Sequence, residues 1–407
     1  MPALKCAQMI ASIRDRYNAD FTPEKYRAFL QDIALEYDHA PEFRIAETPV
    51  FIPEYLQERM LTAAEDILQI ICAPDFKAMS AGALPLDHLV HGESDHTTFL
   101  QLDFGICIDQ DDLLTPQLIE VQGFPSLYFY QDLVAQMYRR HFSIPDDHTH
   151  LFGTLDQESY IELLRRVIIG PERPEQVVLL EVEPQKQPTQ IDFWGTRHHL
   201  GLAVKCVSEI RQNGRELYYT NEQGSHIPIR RIYNRVIFDE LMARTDLNLQ
   251  FSFSDDTDVH WVGHPHWFFR ISKYTLPLIR SQYSPRAFFL NEWNGTEEEL
   301  SQYVLKPLFS FSGSGVILNP TQQDIDRITK PEQYLLQKKV EYAPVVKTPT
   351  GPAKCEVRLL LIWEDDEPRP RIVNNLARLT KGEMVGVKYN KDKDWVGGSV
   401  GFFSSTL

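Results

Sequence analysis

Tyr303–Asn319, YVLKPLFSFSGSGVILN, is the stretch on which the reading turns. Tyr303, Val304 and Leu305 read as a strand, and Val316, Ile317 and Leu318 as a second one. Lys306 stands at the end of the first strand, over the loop Ser310–Gly315. Half of that loop is serine, and Gly313 and Gly315 are free to take positive φ. A loop of this kind turns backbone N–H groups toward an anion, and an adjacent lysine supplies a point charge. The same residues also describe a plain β-hairpin with a polar turn, so the neighbouring stretches have to decide.

Downstream, Tyr334–Tyr342 (YLLQKKVEY) reads as a strand carrying Gln337 and Glu341. Glu356–Trp363 (EVRLLLIW) follows, with Glu356 and Arg358 two apart and so on one face. Arg371–Leu379 (RIVNNLARL) brings Asn374, Asn375 and Arg378, and the tail holds Lys381-Gly382, Asn390 and Gly397-Gly398-Ser399. Arginines on strands beside a phosphate-type loop suit a developing anionic transition state. Any one of them alone would be a surface ion pair.

Upstream, Thr98–Ile108 (TFLQLDFGICI) reads as a strand with one acid, Asp103. After an acidic turn, Pro116–Pro125 (PQLIEVQGFP) places Glu120 and Gln122 on one face. Asp103, Glu120 and Gln122 then offer three oxygen ligands on neighbouring strands, the donor type of Mg²⁺. A solvated amphipathic hairpin is the alternative reading. Leu127–His141 and Asp156–Ile169 read as helices.

Residues 1–96 read as mostly helical, with Thr22-Pro23 and Pro53-Glu54 as helix starts and no assigned chemistry. Gln176–Val182 (QVVLLEV) has the continuous apolar run of a strand buried on both faces. Asp192–Arg211 reads as a helix, and Glu216–Thr220 and Ile229–Tyr233 as strands, which makes 176–240 an α/β unit. Neither G-x-G-x-x-G nor G-x-x-x-x-G-K-[ST] occurs there. Lys273 falls in an expected helix, Phe268–Leu276, that Pro277 would end or kink. The cluster His260, Trp261, His264, His266, Trp267 reads as packing or substrate contact rather than a metal site.

Composition narrows the classes. The 407 residues are 43% hydrophobic, enough for a large core in two or three units. A net charge of −16 argues against a nucleic-acid binder, which would carry a basic stripe. No apolar run approaches the ~20 residues of a membrane span, and no signal-type N-terminus is seen. Five scattered cysteines without C-x-x-C fit a reducing, cytoplasmic location.

Together these motifs resemble the ATP-grasp superfamily, in particular its glutathione-synthetase-like branch. Val304-Leu305-Lys306-Pro307 with Ser312, Gly313, Ser314 and Gly315 is similar to that family's lysine and glycine loop over the nucleotide phosphates. Lys273 is similar to its first ATP lysine. Gln337, Lys338 and Val340 resemble its adenine-binding strand, and Glu341 its ribose-binding acid. Glu356-Val357-Arg358 resembles its acid-x-Arg strand. Ala377-Arg378-Leu379 with Gly397 and Gly398 resembles its substrate-side signature. The metal strands, Asp103 and Ile119-Glu120-Val121-Gln122, stand near the beginning of the chain instead of its end. That order resembles the circularly permuted members, which include glutathionylspermidine synthetase. Gln122 stands where the family usually has Asn.

The resemblance implies an α/β (α+β) fold: a circularly permuted ATP-grasp with a pre-ATP-grasp α/β domain and a helical N-terminal region. The parts expected are 1–96 (helical), 97–145 (metal-binding strands), 146–250 (pre-ATP-grasp) and 251–407 (nucleotide-binding). It implies an ATP- and Mg²⁺-dependent ligase joining a small-molecule or peptide carboxylate to an amine acceptor through an acyl phosphate. Arg358 and Arg378 would be catalytic. Ser126, Arg235, Asn375, Gly397 and Gly398 would contact substrate. An ATP-grasp kinase and a non-catalytic ATP-binding protein remain alternatives, no nucleic acid or membrane is expected, and a homodimer is left open.

Overall fold

The computed structural model describes residues 9–85, 89–310, 313–382, 390 and 392–405. Its main sheet is antiparallel and joins opposite ends of the chain. The strands run in the order Gly397–Ser399, Arg371–Thr380, Lys354–Ile362, Phe99–Ile108, Leu114–Gln122. Period-two alternation divides the two faces. Leu100, Leu102 and Phe104, with Val357, Leu359 and Leu361, pack in one core with Leu56, Met60, Ala63 and Ile67 of helix Glu54–Ile71. At one end of the opposite face, Phe99, Leu360, Ile362 and Val373 pack with Tyr128 and Phe129 in a second core. Gln101, Asp103, Glu356, Arg358 and Arg378 follow along the strands and are polar.

A small antiparallel sheet, Ala287–Phe289, Tyr334–Lys338, Tyr303–Pro307, carries Lys306. A parallel sheet has the order His260–Val262, Arg231–Asn234, Val177–Glu181, Ala203–Cys206. The apolar strand Val177–Glu181 is buried throughout, as its sequence predicts. This sheet draws in His260–Val262, beyond residue 250 where the α/β unit is expected to end.

The N-terminal helices close the chain on itself. Thr22 caps Pro23–Glu36 by accepting the Lys25 N–H at 3.3 Å. Phe29 and Ile33 of that helix pack with Tyr138 and Phe142. Val50–Phe51 pairs in parallel with Gly401–Ser404. Buried Arg14, on helix Ala11–Asp20, donates to Thr48 Oγ1 and, at 2.6 Å, to the Pro49 carbonyl.

Three local expectations need correction. The helix expected over Asp192–Arg211 is Gln190–Leu200 only; Gly201, at φ 72°, ends it, and Ala203–Cys206 becomes an edge strand. The helix expected around Lys273 is Pro265–Arg270 followed by a tight turn, Lys273–Leu278, started by the Ser272 hydroxyl and containing Pro277. The second strand expected at Val316–Leu318 is reduced to one bridge between Leu305 and Ile317. Among the described residues no helix is long and apolar enough to cross a membrane, and Cys72, Cys107, Cys206 and Cys355 are free thiols.

Candidate active site

A cleft of about 480 Å³ opens where the three sheets meet. Register places its charges. Asp103 lies opposite Arg358 on one side and Glu120 on the other, and Glu356 lies opposite Arg378. Chain positions 255 and 275 residues from Asp103 are thereby brought to one carboxylate. Arg358 is bidentate on Asp103, with Nε–Oδ1 2.5 Å and Nη2–Oδ2 2.6 Å, and its Nη1 donates to Gln101 Oε1 at 2.8 Å. Arg378 donates to Asp103 Oδ2 at 2.7 Å and pairs with Glu356. Gln101 Nε2 donates to the Ser126 carbonyl at 2.9 Å, which ties Ser126 to the same network.

Asp103 and Glu356 differ although they share Arg378. Burial raises both carboxyls. For Asp103 the arginines outweigh burial and hold it below its usual value. For Glu356 burial wins, helped by the Asp103 charge, and its pKa is raised. Tyr342 donates to Glu356 Oε2 at 2.9 Å. Its ring occupies the space a side chain at Gly105 would need: a Cβ there would lie 2.7 Å from the ring, so a glycine on strand Phe99–Ile108 is what admits the tyrosine.

The small sheet supplies the lysines' side of the cleft. Lys306 Nζ donates to Gln337 Oε1 at 2.6 Å and to the Ile119 carbonyl at 3.1 Å. Ile119 is the extra residue at the register shift between Asp103 and Phe104, which turns its carbonyl to this use. Burial pulls the Lys306 pKa down to about 8 against the attraction of Glu120. Gln337 Nε2 also donates to the Leu118 carbonyl at 3.0 Å, bridging the two sheets. Lys273 Nζ binds Glu120 Oε1 at 2.8 Å and the Ser310 carbonyl, which pins the start of the glycine loop. Gly313 and Gly315 take φ of 70° and 69°, as expected.

Of the residues singled out from sequence, Asp103, Glu120, Gln122, Ser126, Arg235, Lys273, Lys306, Gly313, Gln337, Lys338, Val340, Arg358 and Arg378 line this cleft. Ser314, Gly315 and Glu341 do not, and are exposed outside it; Ser312 lies outside the described residues. Asn375 points away from Arg378, by alternation: its side chain exchanges hydrogen bonds with the backbone of Gly401 and donates to the His150 carbonyl at 3.0 Å. Gly397, at φ 127°, and Gly398 are packed against Arg44, and a Cβ on Gly397 would sit 2.4 Å from the Arg44 carbonyl. Their side of the sheet is thus used to seat the N-terminal region. The cleft also holds residues not singled out as site residues: Tyr342, Glu181, Gln187, Thr189 and Glu240. Glu181 had a trace in the sequence, an acid ending an apolar strand. The histidine cluster packs, with His266 held between Glu93 and the Val90 N–H.

The donors suit a hard cation. Glu120 and Asp103 are cross-strand neighbours and Gln122 adds an amide oxygen. Among the described residues no three acids, cysteines or histidines group into a full metal cage. Mg²⁺ is commonly held by one or two carboxylates plus phosphate oxygens, so a partial set fits a cation brought with a phosphate ligand.

No family model matches the sequence, and no curated protein matches it. Among solved structures, the fold is similar to that of a glutathione synthetase-like effector from Globodera pallida in its apo form. The identity is 10% and the TM-score 0.57, over 94% of this chain and 96% of that one. The likeness is one of overall fold, and it extends over nearly the whole chain.

Proposed function

We propose that this glutathione-synthetase-like fold serves a circularly permuted ATP-grasp ligase that joins a carboxylate to an amine with ATP and Mg²⁺. The observation that carries the reading is the convergence of Lys273, Lys306, Arg358 and Arg378 with Asp103, Glu120 and Glu356 on one cleft. Such a charge set suits phosphoryl transfer, where positioning and neutralisation supply most of the catalysis.

In this reading Lys273 and Lys306 hold the nucleotide phosphates under the Gly313 loop, and Gln337, Lys338 and Val340 line the base. Asp103, Glu120 and Gln122 would hold Mg²⁺, which would supply neutralisation of phosphate charge. Arg358, oriented by Asp103 and Gln101, faces charge that builds on the transferring phosphoryl group. Arg378 orients the carboxylate to be activated. The carboxylate oxygen takes the γ-phosphoryl group and ADP leaves; the neutral amine then attacks the acyl carbon, phosphate departs and the nitrogen loses a proton to give the amide. Phosphate binding requires Lys273 to turn from Glu120 and the arginines to share Asp103 with incoming charge. The parts at 1–96, 97–145, 146–250 and 251–407 then act as cap, metal strands, acceptor domain and nucleotide domain, in a cytoplasmic protein.

The test is ADP release from Mg²⁺·ATP with panels of carboxylates and amines, beside Lys306→Ala. Release that needs a carboxylate, with an amide product that needs the amine, supports the ligase; a stable phosphate ester on a hydroxyl substrate, with no amide formed when an amine is supplied, overturns it in favour of a kinase. A second reading, nucleotide binding without chemistry, is favoured by Gln122 and by the full engagement of Asp103 with two arginines. ATP that protects the fold from heat without ADP release under any mixture would support that one.

A further inference from the structure

The cleft extends over the end of the parallel sheet, and there the charges are arranged differently. From Val177–Glu181 the chain adds Ala203–Cys206 on one side and later Arg231–Asn234 on the other. Strand order therefore reverses between Val177–Glu181 and Arg231–Asn234. In open parallel sheets, ligands sit beyond the carboxyl ends of the strands at such a point. Glu181 ends the first of these strands and Arg235 follows the second. Both line the cleft, and each is 3% exposed.

Arg235 is already neutralised. Its Nη1 donates to Asp192 Oδ2 at 2.6 Å. Asp192 in turn accepts the N–H groups of Leu127, Phe129 and Tyr130 at the start of helix Tyr128–His141. Glu181 is not. Its hydrogen bond is to the N–H of its own neighbour Val182, at 2.7 Å. Among the described residues no Lys, Arg or His nitrogen forms an ion pair with it; the ion pair at this end is Arg235–Asp192. Glu240 adds a second acid to the lining. A buried carboxylate without a cation is expensive unless a ligand completes it. Burial pushes the Glu181 pKa up to about 8, with the Val182 N–H and Arg235 pulling it down and Glu240 raising it.

We propose that Glu181, at this reversal of strand order, is the binding residue for the amino group of a primary aliphatic amine, the acceptor substrate. Arg235, held from behind by buried Asp192, and Leu127, just before helix Tyr128–His141, line the cleft beside it. The proposal rests on the ligase reading in taking the second substrate to be an amine, and it names where and by which residue that amine is held.

The experiment uses the full chain without nucleotide and measures binding of 1,4-diaminobutane and of its N,N′-diacetyl derivative by equilibrium dialysis. The diamine binds and the diacetyl form does not. Glu181→Gln, which keeps the side chain's shape, weakens the diamine about tenfold or more, the loss expected of a charged hydrogen bond. It leaves Mg²⁺·ATP binding within about twofold. Wild-type amine binding strengthens as the pH is raised through about 8, and Glu181→Gln removes that rise, a readout that a merely structural role would not move. Equal binding of both probes, no binding of either, or a diamine affinity untouched by Glu181→Gln overturns the proposal, the first two without relying on any variant. The ligase reading fails separately: an amine bound through Glu181 that stimulates no ADP release leaves this site standing and removes the reaction.

Discussion

At the antiparallel end of the cleft Asp103 is gripped by two arginines, and Glu356 by one of them and by Tyr342. At the parallel end Glu181 accepts the N–H of Val182, and among the described residues it has no ion pair. Both ends are buried, so the difference is one of pairing and not of solvent. The first end compensates its own charges within the chain. At the second, burial holds the Glu181 carboxyl protonated up to about pH 8, and among the described residues no cation forms an ion pair with it. A dense charge network thus keeps the Asp103 carboxylate ionised, while a buried acid without an ion pair is pushed toward its neutral form.

Both ends of this contrast can be challenged by substitution. The largest effect is expected for Asp103→Ala, which leaves Arg358 buried without its carboxylate; denaturant unfolding should show a loss of about 3–5 kcal/mol. A loss below about 1 kcal/mol would mean that the network is not structurally coupled. Arg358→Ala is next. On the proposed reaction it lowers turnover roughly 100-fold or more, as removal of a transition-state donor does, while ATP affinity measured by titration changes far less. Equal losses in both would assign Arg358 to ground-state binding.

Glu181→Gln probes the other end through pH. The folded protein keeps the Glu181 proton up to about pH 8, whereas the unfolded chain releases it above about 4.5. Wild-type stability therefore falls between those values, and Glu181→Gln removes that part of the fall, worth roughly 4 kcal/mol by pH 8. Thermal unfolding at pH 5 and pH 8 should show the two proteins converge at the lower pH and the variant ahead at the higher. Parallel curves would mean that the carboxylate is not desolvated.

Lys306 has the opposite sign. It is charged in both states below about pH 8, where burial counts against the fold; between about 8 and its ordinary 10.5 only the unfolded chain stays protonated. Stability from this group rises across that window, and Lys306→Met should flatten the rise in unfolding measured from pH 8 to 10. Affinity for ATP should weaken over the same window as the lysine loses its charge. The smallest effect serves as a control away from the cleft: Thr22→Ala removes a helix cap and should cost about 1 kcal/mol in denaturant unfolding, with no change in nucleotide binding.

Much of the centre was legible because strands announce which side chains share a face. Glu356 and Arg358 two apart, Glu120 and Gln122 two apart, and the Lys306 strand before a glycine loop all carried over into the cleft. Asn375 and the Gly397-Gly398 pair were misplaced by the same kind of reading, which knows that residues are near Arg378 but not which face the neighbours occupy. Asn375 faces Gly401, and Gly397 is glycine because Arg44 passes close behind it. The helix over Asp192–Arg211 was overextended because Val204 and Val207 keep a helical spacing, while Gly201 in the left-handed region ends the helix and the edge of a parallel sheet takes the rest.

Local periodicity and residue type were enough to set the strands of the main sheet, their polar faces, the positive φ of Gly313 and Gly315, and the place of Asp103 and Glu120 toward the front of the chain. Which charges meet was left to the assembled sheets. Asp103 and Arg358 are 255 residues apart, and their contact exists because Phe99–Ile108 pairs with Lys354–Ile362 in one register. The same holds for what Glu181 lacks. Whether a buried acid has a cation depends on every element packed around it, and here Asp192 has already taken Arg235.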